Sequence, residues 1–176
     1  MTTQFEFDRA RANLHHFVLR TARNVARSVG FSYEEREDAP DTLQSIREAF
    51  LKSRNDRSGF PVYAGASDKT IYLSPEGNWA FRFWHDILHV IHASNTTFED
   101  EVKLGWLHVQ AVEKEFGKGS LEARIMGWDT VGQSAYHAMM GNFPEDQREF
   151  VFNALTRGAN LNQWADMAYN GLEVEV

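Results

Sequence analysis

The sequence predicts a mainly α-helical protein, a single-domain helical bundle over residues 1–176 with at most one small β-hairpin near residues 61–73. Three observations predict it. Apolar residues recur every three or four positions along most of the chain, and only two short stretches have strand-like composition. No repeat, low-complexity tract or linker divides the 176 residues, a length that supports one substantial core and not two comfortable ones.

A long amphipathic helix comes first. Phe7, Ala10, Leu14, Phe17, Val18, Ala22, Val25 and Val29 share its face, and Gly30 stops it. The charged stretch from Ser32 to Pro40 reads as loop. Asp41-Thr42-Leu43-Gln44 reads as a capping box opening a second helix through about Leu51, and the polar residues 53–61 read as a further loop. The strand candidates are Pro61 to Tyr63 and Thr70 to Leu73, joined by the turn-forming Gly65-Ala66-Ser67-Asp68. Ser74-Pro75 or Asn78 begins a third helix that frays near Ser94-Asn95. Thr96 with Glu99 caps a fourth, which carries Glu101, Gly105, His108 and Val112 along one face before Gly117 and Gly119 break it. Helices over about Leu121 to Met140, Pro144 to Thr156 and Leu161 to Tyr169 complete the bundle, and the polar end, residues 172–176, reads as a loose tail.

Charge and composition narrow the function classes. A formal net charge of −7 disfavours capture of nucleic acid by the whole surface, with Arg9, Arg11, Arg20, Arg23 and Arg27 as the one candidate basic patch. Cysteine is absent, which removes disulfides, thiolate zinc sites and cysteine nucleophiles together, so any metal must be held by nitrogen and oxygen. No signal-peptide pattern opens the chain and no stretch reaches the roughly 18 apolar residues needed to span a bilayer. The expectation is a soluble, cytoplasmic protein with a small-molecule substrate as partner, without nucleic acid or a transmembrane segment, and with self-association left open.

The chemistry concentrates in residues 79–112. At about 100° per residue, Asn78, Arg82, His85, His89 and His92 fall within an arc of roughly 80°, while Trp84, Ile87, Val90 and Ile91 point elsewhere. A helix apolar around most of its circumference is a buried one, and its polar stripe needs partners. A divalent metal bound by His85 and His89, one turn apart, with Glu101 as an anionic third ligand, satisfies that need. Asp86 is a further ligand or orients one. Zinc leads the candidates for the ion, with Fe²⁺ and Mn²⁺ behind it. Asp86 and His108 are placed to move a proton, and Arg82 to pair with a substrate carboxylate or phosphate, or with Asp86 or Glu101.

The run His85-Asp86-Ile87-Leu88-His89, eleven residues and then Glu101 resembles the HDxxH-x11-E motif of the Coq4-type metal-binding proteins of ubiquinone biosynthesis. Phe83-Trp84 precedes the motif and Val102-Lys103-Leu104-Gly105-Trp106 follows it, as an apolar, lysine-containing helix does in that family. The resemblance covers residues 79–112. It implies a helical protein with a divalent ion held by His85, Asp86, His89 and Glu101, working on a ring substrate with an isoprenoid tail. That work would be oxidative loss of a ring carboxylate, or the organisation of other enzymes of the pathway.

Other chemistries compete for the same residues. The zinc-protease pattern HExxH shares the two-histidine spacing but uses glutamate where Asp86 stands. An HD-type nucleotide phosphohydrolase would use His85-Asp86 with His15 or His16 upstream and Asp129 downstream. A noncatalytic scaffold would hold a structural ion, or use the histidines as a buried hydrogen-bond network. His92, at a helix end, is favoured there by the dipole without any ligand role. His108 reads either as ligand or as a core histidine. Of His15-His16, one packs and one faces solvent. The five tryptophans read as core. The balance favours an enzyme.

Overall fold

Helix α1 (Gln4–Val29) buries Phe7, Ala10, Leu14, Phe17, Val18 and Ala22, the positions that its periodicity marks, and ends before Gly30 at a φ of +90°. The computed structural model describes residues 2–171, and the polar end read as a loose tail lies outside them. These residues group into two compact units. One comprises Leu14–Asp68 and Tyr72–Thr96; the other comprises the residues up to Asn13, Lys69–Ile71 and the chain from Thr97 on. The mainly α class holds in both.

The first unit contains strand β1 (Tyr33–Arg36), helix α2 (Leu43–Asp56), strand β2 (Phe60–Tyr63) and helix α3 (Pro75–His92). The strands pair in parallel, Tyr33 opposite Phe60 and Arg36 opposite Tyr63, with α2 as the crossover. This corrects the expected hairpin: the strand near residue 61 is present, but its partner is the segment read as loop. Tyr33 earns that strand by its ring, 5.3 Å from Phe83, inside an aromatic cluster of Phe31, Phe50, Phe60 and Phe83. Phe60 and Phe83 are fully buried, each burial worth about 2–3 kcal/mol.

Thr70 to Leu73, the other strand candidate, forms no strand. The Thr70 and Ile71 carbonyls instead accept from the Arg11 guanidinium at 3.4 and 2.8 Å, so a side chain satisfies backbone groups that a hairpin would have paired. The cap of α2 is Thr42 with Ser45 in place of the expected Asp41 and Gln44, and the helix runs five residues past Leu51 to Asp56.

The second unit contains helices α4 (Phe98–Phe116), α5 (Leu121–Gly127), α6 (Gln133–Met140), α7 (Gln147–Thr156) and α8 (Leu161–Tyr169). Thr97, one residue later than expected, caps α4 by accepting from the Asp100 amide. The single helix expected over 121–140 is interrupted by a π turn at Trp128–Gly132. Val102, Val131 and Ala165 form a core cluster with Phe98, Trp106 and Leu161 packed against it. No helix among the described residues is long and apolar enough to cross a membrane.

The tightest approach in this unit is at Gly105. A Cβ there would stand 2.7 Å from Val131 Cγ2, 3.1 Å from Thr130 Oγ1 and 3.2 Å from the Val131 amide nitrogen. Backbone cannot yield as a side chain does. Gly105→Val is therefore expected to lower the unfolding free energy by about 1–3 kcal/mol through overpacking, measured by urea denaturation.

Candidate metal centre

Pro75 sits in the first turn of α3, where its missing N–H costs nothing, and the eighteen-residue helix that it opens carries the histidine stripe. The stripe divides in two. Its N-terminal half is structural: Asn78 Nδ2 donates to Ser67 Oγ at 3.1 Å, and the Trp79 indole N–H donates to the Ala64 carbonyl at 3.1 Å. Arg82 donates to the carbonyls of Tyr63 and Gly65, the latter at 2.8 Å, with its guanidinium 5.1 Å over the Tyr63 ring. All three hold the turn after β2.

The C-terminal half carries the ligand chemistry. His89 is buried to 1% exposure. Its Nδ1 lies 3.0 Å from the Ser94 carbonyl, which only accepts, so Nδ1 bears the proton and Nε2 presents a lone pair. His85 Nε2 is 3.0 Å from that atom and donates its N–H to that lone pair. Two nitrogens about 2.1 Å from one ion lie about 3.0 Å apart at right angles and about 3.4 Å apart at a tetrahedral zinc, so a shared ion needs the rings to part by only a few tenths of an ångström. Donation of the second ring N–H to a backbone carbonyl is also the usual support of a metal-bound imidazole.

His85, His89 and Glu101 each offer a ligand atom, all within 4.8 Å of one another, and together they can hold a metal ion. Glu101 comes from the first turn of α4 and is half-buried, as is His85. The other candidates stand outside this trio. Asp86 is half-buried one position along α3, and His92 is exposed at its last residue. His108 is fully buried on the Glu101 face of α4, but seven residues amount to about 10.5 Å of rise, too far for both to reach one ion. Asp129 is buried in the π turn, its Oδ1 accepting from Gln133 Nε2 at 2.8 Å. Sequence reasoning missed Ser94, whose carbonyl orients His89; no side-chain chemistry marks it.

His15 packs and His16 is exposed, their rings 5.6 Å apart edge to face. His15 lies against Gly77, where a Cβ would come within 2.4 Å of its Nδ1. Trp84 and Trp128 are core residues, while Trp79, Trp106 and Trp164 are partly buried. No protein-family model, curated protein or solved structure matches the chain.

Two outcomes follow from this geometry. Arg82→Met is expected to destabilise by about 1–3 kcal/mol in urea while leaving metal uptake unchanged, because the guanidinium serves the turn. Burial pushes the pKa of His15 below its ordinary 6.5, with His16 adding to the shift and Glu76 opposing it. The folded state therefore favours neutral His15. Its contribution is complete above pH 6.5 and is lost as pH falls from there toward the folded value. Between pH 7 and 5, urea stability of the metal-free protein is expected to fall less steeply in His15→Gln than in the wild type.

Proposed function

We propose that this protein is a metal-dependent enzyme in which His85, His89 and Glu101 hold one divalent ion, zinc first and Fe²⁺ or Mn²⁺ as alternatives, for work on a small substrate. The observation that carries the reading is the fixed tautomer of His89: the Ser94 carbonyl takes the Nδ1 proton and aims the Nε2 lone pair at His85. A buried imidazole held that way is prepared to ligate. Among the described residues no fourth histidine or carboxylate joins the group, and three protein ligands with a position left over is the catalytic pattern, whereas a structural zinc is closed by four.

An ion in this setting acidifies bound water or polarises a carbonyl. The chain's own residues do the rest. Asp86, beside His85, and His108, deeper along α4, are the groups assigned to hold or move a proton. Arg82 acts by ordering the turn at residues 63–65. The resemblance of His85-Asp86-Ile87-Leu88-His89 and Glu101 to the Coq4-type motif is what suggests a carboxylate-bearing ring of the quinone-precursor kind as substrate.

Elemental analysis of untagged protein tests the centre. Near one ion per chain is expected in the wild type, and loss of it in both His89→Ala and Glu101→Ala. A wild type that takes up no Zn²⁺, Fe²⁺ or Mn²⁺ on incubation would overturn the reading and leave the histidines as a buried polar network.

A further inference from the structure

The unit that contains α4 buries a second polar group that the metal trio does not use: His108 at 0% exposure, Gln133 at 5%, and Asp129 and Thr130 at 9%. Three of these four lie in or beside the π turn. A π turn widens the helix by one residue and swings the side chains before it out of register with those after it, and such turns are frequent at functional sites. Here it is maintained locally. The Thr130 hydroxyl donates to the Met126 carbonyl at 2.7 Å, and Gly132 leaves room for the Trp128 ring, which a Cβ would meet at 2.5 Å.

Two close approaches set the register of the turn against α4. A Cβ on Gly127 would lie 3.5 Å from Val109 Cγ2, and one on Gly105 meets Thr130 and Val131. Position 109 is thus level with 127, and 105 with 130 and 131. The two segments run antiparallel, and interpolation sets His108 level with residue 128, one position from Asp129. A buried carboxylate and a buried imidazole therefore lie within about one residue of the same level of one core.

We propose that Asp129 is a positioning residue that holds His108 in one tautomer, making the pair a buried carboxylate–imidazole relay. Gln133 fixes Oδ1 of Asp129. Oδ2 accepts the proton-bearing nitrogen of His108, and the opposite ring nitrogen is turned toward the Glu101 end of α4, the direction in which helical side chains lean. With its ring at 0% exposure His108 meets no substrate directly and takes a proton only from a water O–H that reaches it. Asp129 stays ionised beside the resulting imidazolium, and the proton returns to water. The carboxylate offsets the cost of charging a buried ring. The catalytic use of the pair rests on the metal reading above; the pair itself does not.

The test is a two-bond ¹H–¹⁵N spectrum of histidine-labelled full-length protein, with His108 assigned through His108→Gln. A single His108 tautomer is expected in the wild type. That signature is lost in Asp129→Asn, whose carboxamide can also donate and so admits the opposite tautomer, and it returns in Asp129→Glu. Metal content stays near one per chain in both variants. Averaged tautomers in the wild type would overturn the proposal without any variant, as would an unchanged His108 signature in a folded Asp129→Asn. A wild type with one His108 tautomer that takes up no metal would sink the metal centre and leave the pair standing.

Discussion

Burial of the His89 imidazole is the constraint from which the rest of the site follows. A ring at 1% exposure must satisfy a donor and an acceptor without water. The donor goes to the Ser94 carbonyl, and reaching it requires the chain to reverse just after α3. Ala93 makes that reversal in the left-handed region, at a φ of 53°, while the Ala93 and Ser94 amides both return to the His89 carbonyl. An alanine there costs about 1–2 kcal/mol relative to an ordinary conformation. The strain sits beside the ring that it positions, and the same reversal ends α3 at His92 and leaves only residues 93–97 before α4 begins with Glu101 near its start.

One stripe of polar residues on α3 therefore serves two ends. Asn78 and Arg82 spend their donors on the turn after β2, where Gly65 and Ala66 leave carbonyls pointing at the helix. His85 and His89 face each other through their Nε2 atoms. The transition falls between residues 82 and 85, less than one turn. A guanidinium with five donors is suited to gather several carbonyls at once, which a lysine would not do from the same place.

Much of this was legible in the sequence, and the failures have physical causes. The spacing of His85, His89 and Glu101 needed only helical geometry and a short connection, so it survived into the structure as a group of converging ligand atoms. The long helices were legible for the same reason: Phe7 to Ala22 and Phe98 to Val112 repeat over several turns. β1 was not, because Tyr-Glu-Glu-Arg has no apolar alternation and its one anchoring ring meets Phe83, fifty residues away. Thr70 to Leu73 has strand composition, but Arg11 took its carbonyls, a contact decided by tertiary structure. The π turn inserts one residue into a pattern whose period is itself non-integral, and no residue type announces it. The sequence showed the charge of Arg82 but not the Tyr63 and Gly65 carbonyls that its guanidinium also meets.

The ligand set also bears on what an ion at this centre would do. Two neutral imidazoles and one carboxylate leave a divalent ion with a net charge of +1, whereas each further carboxylate would cancel a unit and blunt its pull on a bound water or carbonyl oxygen. Asp86 points from a different angle of α3 and His108 lies two turns along α4, so neither completes the trio. Their separation from it has chemical value. A carboxylate or imidazole that ligates the ion has lost the lone pair with which it would take a proton, while one held nearby retains it. The i, i+4 histidine pair on one helix and the single acid on the next would thus keep the Lewis acidity of a bound ion apart from proton transfer.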